Sequence, residues 1–208
     1  MRAKNYFLLT PIFLLFSCNS DKLPVYGNKT VVVKTENGKQ TVDSIDYVLP
    51  DFAYVDQDSN VVSSASMSNK IFVTEFFFTS CPSICPKMQA QMLRVYEKHK
   101  DNPDVQILAF TIDPVRDTVA KLKAYEKKLG IESSKWHLLT GNKDSIYNLA
   151  EKFLVSAAED PDAPGGYVHS GSFILTDKQR RLRGYYDGTK EESVQKLLDE
   201  LDVLLKEK

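Results

Sequence analysis

The sequence predicts an α/β domain in which a central mixed sheet is flanked by helices. Three observations carry that prediction. From residue 71 onward, short apolar runs alternate with stretches of helical spacing, the pattern of strands connected through helices. Two of the runs, residues 71–78 and 105–112, are almost continuously apolar, as strands buried on both faces are. The chain has 208 residues, 42% hydrophobic and 26% charged, which suits one main globular domain. The same composition excludes a disordered chain and a polytopic membrane protein. With 27 basic against 28 acidic side chains, no basic excess marks a nucleic-acid binder. Three cysteines are too few for a disulfide-dense scaffold.

Taken in order, the chain opens on an address. Arg2 and Lys4 precede an apolar run of about 11 residues, too short to span a ~30 Å hydrocarbon core. The run ends in Leu15-Phe16-Ser17-Cys18, which resembles a bacterial lipobox. Residues 1–17 are therefore expected to be a lipoprotein signal peptide, with Cys18 the lipidated start of the exported chain. That chain would be anchored to a bacterial membrane on its extracytoplasmic side. Residues 18–30, polar with Pro24 and Gly27, read as a tether ahead of a domain over 31–208. Valines 31–33 and Thr41-Val42 flank Asn37-Gly38, a strong hairpin signal, so an added N-terminal β-hairpin is expected. A further extended stretch begins near Leu49 and turns around residues 56–60. These front strands are expected to lie against the main sheet.

The first buried strand contains one exception to its apolar run, Glu75. Met88, Met92, Val95 and Tyr96 then recur at helical spacing. After the second buried strand, a helix over residues 118–129 is stopped by Gly130 as a C-terminal cap, and Asp117 is a candidate N-cap. Residues 136–139 form a short strand and 144–153 a helix. A loop around 161–166 leads to strands at 172–176 and 182–186. Val194, Leu197, Leu198, Leu201, Leu204 and Leu205 mark the apolar face of a last helix over 190–206. A central strand running into a two-cysteine segment and a helix is the layout of a thioredoxin-like domain.

That segment is Thr79-Ser80-Cys81-Pro82-Ser83-Ile84-Cys85-Pro86. It lies at the carboxyl edge of the sheet, where ligands of open α/β folds bind. With Pro86 as first helical residue, Cys85 falls near the N-cap, where the helix dipole favours a thiolate. The pair can close a disulfide or hold both sulfurs toward one soft metal ion. Zinc and iron–sulfur centres generally want four protein ligands, and no further cysteine remains once Cys18 is lipidated. Of the three histidines, His99 in a polar helix end reads as solvated and His137 as structural. His169, in Gly165-Gly166-Tyr167-Val168-His169-Ser170-Gly171, precedes a strand whose entering loop lies beside the cysteine loop in a thioredoxin-like sheet. Cys81, Cys85 and His169 would offer two sulfurs and one nitrogen, a set suited to three-coordinate copper(I). In residues 113–118, DPVRDT, Arg116 is expected to pair with a carboxylate, and Asp113 is a candidate second-layer or docking residue. Phe76, Phe77 and Phe78 read as core.

The cysteine segment from Phe78 to Pro86, the stretch from Thr111 to Thr118 and His169 together resemble, in order and separation, the SCO/SenC family. The resemblance covers approximately residues 45–206. It implies a thioredoxin-like fold, copper (Cu(I), Cu(II) or both) held by Cys81, Cys85 and His169, and a role in assembling the dicopper site of cytochrome c oxidase. The implied partners are the copper-bearing oxidase subunit and a copper donor. Family members often carry an acidic residue between the cysteines and Asp before the histidine. Here Ser83, Ile84 and Val168 stand at those places. A metallochaperone, not an enzyme, is the leading expectation. The alternative is a thiol–disulfide oxidoreductase in which the Cys81 and Cys85 dithiol keeps the oxidase cysteines reduced and is itself oxidised to a Cys81–Cys85 disulfide. A third reading, a thiol peroxidase, rests on Thr79 two residues before Cys81.

Overall fold

A computed structural model describes residues 22–36 and 39–207. The signal segment, Cys18 and the Asn37-Gly38 turn lie outside the described residues. The main sheet holds five strands: β5 (Ile71–Phe77), β6 (Val105–Thr111), β7 (Trp136–Leu139), β10 (Ser172–Thr176) and β11 (Leu182–Asp187). Their order is β11-β10-β5-β6-β7. β5, β6 and β7 run parallel, while β10 is antiparallel to both β5 and β11, so the sheet is mixed as expected. Every residue of β5 is buried, which explains its continuous apolar run. Phe76 stacks on Phe110 across the β5–β6 pair, and Phe52, Tyr54 and Phe153 close around Phe110.

Four helices flank the sheet: α1 (Cys85–His99), α2 (Val119–Leu129), α3 (Lys143–Lys152) and α4 (Glu191–Leu204). Thr118 caps α2 by accepting from the Lys121 N–H, and Gly130 ends it at φ 69°. Asn142 caps α3 in the same way, accepting from Ser145. α1 and α4 are joined by Arg94 to Gln195 and by Lys98 to Asp202. Among the described residues no helix is long and apolar enough to cross a membrane.

The structure corrects several expectations. β1 (Thr30–Glu36) and β2 (Lys39–Ile45) pair as the expected antiparallel hairpin, but nearly all of it is exposed instead of lying against the sheet. The second front stretch does turn and pack on the core as expected: β3 (Ala53–Val55) pairs with β4 (Val61–Ser63), Val55 bridges Thr140, and Phe52, Tyr54 and Val62 are buried. The described part of the expected tether is docked. Tyr26 bridges Leu182, and the buried Arg183 donates to the carbonyls of Leu23 and Pro24 while pairing with Asp177 and Glu207. Gly27, at φ 103°, lies where a Cβ would fall 2.5 Å from Tyr47. His99 is not solvated: α4 covers it and it is 6% exposed. Finally, the loop before β10 contains an unexpected hairpin, β8 (Ala157–Glu159) with β9 (Tyr167–His169).

Candidate metal centre

Three elements deliver the candidate ligands. Cys81 lies in the turn that leaves β5, where its N–H donates to the Phe78 carbonyl. Cys85 is the first residue of α1, one position earlier than expected, with Pro86 second. His169 closes β9, opposite Ala157 of β8. The start of the cysteine turn is fixed from below by Asp117. This buried carboxylate accepts from the Thr79 N–H, the Thr79 hydroxyl and the Thr111 hydroxyl. Asp117 is therefore not the cap of α2; it ties the ends of β5 and β6 together. The same bond commits the Thr79 hydroxyl, so the feature behind the peroxidase reading has a structural use.

The His169 loop is braced by a second set of contacts. Gly165, at φ 83°, brings its backbone so close that a Cβ would sit 2.8 Å from the Phe78 ring. Arg116 donates to the Gly165 carbonyl and pairs with the buried Asp113, which also accepts from the Tyr167 hydroxyl at 3.0 Å. Tyr167 packs on Phe78, and Phe78 meets the His169 ring edge-on at 5.9 Å. Asp113 thus reaches the centre only through Tyr167 and Phe78. Phe78, read as core alone, is also a wall of the centre.

The donor atoms of Cys81, Cys85 and His169 all lie within 4.8 Å of one another. A trigonal ion at ~2.0–2.3 Å from each would set them ~3.7–4.0 Å apart, so a small adjustment suffices. Cys85 Sγ and His169 Nε2 are already 3.4 Å apart. Nδ1 faces the Ser170 carbonyl at 3.0 Å. Only a protonated Nδ1 can bond there, so the lone pair is on Nε2, toward the sulfurs. Burial pushes the His169 pKa down, which keeps the ring neutral and able to ligate.

The two thiols are unequal. Burial resists ionisation of Cys81, but hydrogen bonds from the Cys85 thiol and backbone N–H, and from Ser83, outweigh it and hold its pKa below the usual thiol value. Burial pushes Cys85 strongly upward, and the neighbouring Cys81 and Glu75 add to this. The helix terminus was expected to make Cys85 the thiolate, and the opposite holds. At 2% exposure, desolvation of the charge exceeds what one turn of helix dipole offers. Cys81 ionises first, supported by the Cys85 S–H, while Cys85 Sγ lies 3.4 Å from His169 Nε2. Both thiols are free.

Recesses open on two sides. One, of about 140 Å³, is lined by Cys81, His169, Phe78 and Ala163 but not by Cys85. The other, of about 290 Å³ between α1 and α2, is lined by both cysteines and by Gln89, Leu93, Tyr125 and Leu129, but not by His169. Beneath Gln89 lies Glu75, fully buried, whose Oε1 accepts the Gln89 amide at 3.1 Å. Burial raises its pKa to about 8. The other two histidines lie apart from the centre: His137 faces Asp56 and Gln106.

Residues 40–206 match the family model described as SCO1/SenC. The chain is 31% identical over 153 residues to the SCO1 protein homolog of Bacillus subtilis, covering 73% of this chain and 79% of that one. It is 30% identical over 198 residues to an SCO2-like protein of Rickettsia conorii, covering 91% and 89%. Among solved structures it is similar to a SCO1/SenC family lipoprotein of Bacillus anthracis, with TM-score 0.71 and 27% identity over 77% of this chain and 96% of that one. It is likewise similar to Arabidopsis thaliana ScoI with copper bound, with TM-score 0.62 and 26% identity, covering 74% and 95%. A third neighbour, BsSco, is described as having a disulfide switch and as belonging to a family of cytochrome c oxidase assembly proteins. It gives TM-score 0.68 at 27% identity over 78% of this chain and 95% of that one. The thioredoxin-like arrangement expected from the sequence is thus the fold of this chain.

Proposed function

The chain belongs to the SCO1/SenC family, and on that premise we propose that it is a copper metallochaperone. Cys81, Cys85 and His169 hold one copper ion as cargo, for delivery to the dicopper site of cytochrome c oxidase. The observation that carries this is the convergence of three soft or borderline donors from separate elements within 4.8 Å, with the histidine lone pair turned toward the sulfurs. Two thiolates and an imidazole leave a coordination position open, which a partner's ligand needs for exchange. Copper-bound relatives support the choice of metal. The Asp113–Arg116–Tyr167 brace holds the His169 loop in register with the cysteine turn. The chain is exported and carried by a lipid on Cys18 at the extracytoplasmic face of a bacterial membrane, which concentrates it near a membrane-bound client.

The test is a copper(I) titration of the full reduced chain against a competing chelator, with His169→Ala and Cys81→Ala beside it. One copper per chain is expected, with affinity falling at least tenfold in each variant. A chain that takes no copper, or that is indifferent to Cys81→Ala, would overturn the reading.

A second reading draws on the unequal thiols. A low-pKa Cys81 beside a protonated Cys85 is the arrangement of an attacking and a resolving thiol. On this reading the chain closes a Cys81–Cys85 disulfide while reducing a disulfide of the oxidase subunit, as the disulfide switch described for BsSco suggests. It requires Cys85→Ser to abolish exchange and His169→Ala to spare it.

A further inference from the structure

The centre is approached through two recesses, and they differ in what they reach. The His169-side recess touches Cys81 but not Cys85. The α1–α2 cleft touches both cysteines and is the larger of the two. A ligand that is to replace two sulfurs in turn has to come within bonding distance of both. His169 Nε2 is already 3.4 Å from Cys85, and His169 lines the smaller recess but not the cleft. The open side of the sulfur pair is therefore the cleft.

The cleft also carries an unused polar group. Gln89 lines it at 3% exposure, with its amide nitrogen given to Glu75, and its Oε1 has no hydrogen-bond partner. A buried acceptor left unpaired costs on the order of 1–3 kcal/mol, a cost that an N–H seated in the cleft would remove. Leu93 and Leu129 supply apolar wall, and Lys128, over the Tyr125 ring, is the one charged side chain among the described residues that line it. An extended peptide brings all three complements: backbone N–H, apolar atoms and a flanking side chain.

We infer that the α1–α2 cleft receives the partner, and that its occupant is a cysteine-bearing peptide segment with an acidic residue beside the cysteine, seated against Gln89 and Lys128. The inference rests on the chaperone reading for its cargo and adds the route and the partner's chemistry. In transfer, the partner's thiol enters as a thiolate and forms a copper–sulfur bond before the bond to Cys85 breaks. The released Cys85 takes up the proton the partner gave up, and copper(I) keeps its oxidation state. A second thiolate of the partner then replaces Cys81 in the same way, its proton passing to Cys81.

The test uses the full reduced chain and two synthetic tetrapeptides, each with one cysteine, followed by aspartate in one and lysine in the other. The metal-free chain is mixed with the peptides as 2-thiopyridyl disulfides. A chain thiolate attacks the peptide sulfur, a mixed disulfide forms and 2-thiopyridone leaves, giving a rate by absorbance. The copper(I)-loaded chain is mixed with the free peptides, and copper loss is followed. At low salt the aspartate peptide should react several-fold faster, and Lys128→Glu should reverse that order. Ala90→Trp, an exposed helical position on the cleft, should slow both readouts at least tenfold with copper affinity within twofold. Ala163→Trp, in the His169-side recess, should leave both rates within twofold. Rates untouched by Ala90→Trp, or slowed equally by Ala163→Trp, would overturn the cleft. No charge preference would overturn the acidic partner. A chain that takes no copper defeats the chaperone reading instead, because the mixed-disulfide rates still report on the cleft.

Discussion

Gly165 shows how much of the centre depends on a single backbone conformation. It combines a φ of 83° with a close approach to Phe78, so any side chain there is strained and must also displace the ring beside His169. Gly165→Ala is expected to cost about 1–3 kcal/mol of stability and to weaken copper(I) binding, measured by thermal unfolding and chelator competition. Glu75 makes a different demand. Its carboxyl goes from an ordinary value of 4.5 to about 8 on folding, so the folded chain holds a proton that the unfolded chain releases. Its contribution is intact below about pH 4.5 and is lost as pH rises toward 8. Glu75→Gln should therefore stabilise the metal-free chain by on the order of a few kcal/mol at pH 8 and little at pH 4.5. Melting curves at both pH values check this, and an equal effect at both would refute it. The grouping of Cys81, Cys85 and His169 was legible because reactive residue types are rare and these flank the strands and helix that meet at one sheet edge. The order of the two thiol acidities was not legible, because burial of Cys85 depends on packing that spacing alone does not record.

At the scale of elements, the long ones follow from their patterns to within two residues at each end. Continuous apolar runs gave β5 and β6, and helical periodicity gave α1 and α4. β8 and β9 were missed for a physical reason. Strands of three residues, Ala-Ala-Glu and Tyr-Val-His, are too short to display an alternation. They exist because the Gly165 turn and the Arg116–Gly165 bond fold the loop back. His99 was misread in the same way, since its cover comes from α4, a hundred residues on. Asp117 is the element-scale tie: three hydrogen bonds from β6 and the cysteine turn converge on it. Asp117→Ala leaves those donors buried and unpaired, at a cost of ~1–3 kcal/mol. Backbone amide exchange should accelerate around residues 79–85 while β7 and α3 stay protected. Uniform acceleration would argue against a local tie.

At the scale of the molecule, the buried Arg183 joins Asp177, Glu207 and the backbone of Leu23 and Pro24. Arg183→Met removes one partner of a buried charge cluster and is expected to destabilise by ~3 kcal/mol. It should also open residues 22–29 to limited proteolysis that the parent chain is expected to resist; equal cleavage of both would sink the idea of a clamp. The location of this clamp has a further consequence. Tyr26 and Leu182 lie level with Phe72 at the start of β5, whereas the cysteines follow its far end. The two ends of that strand are ~20 Å apart. On the proposed lipidation of Cys18, only four residues, 19 to 22, separate the lipid from the clamp. On the proposed anchoring through Cys18, the clamp end of the sheet is the end held near the bilayer and the cysteine end is the one held away from it. A client would then be selected partly by how high above the lipid its own copper ligands stand.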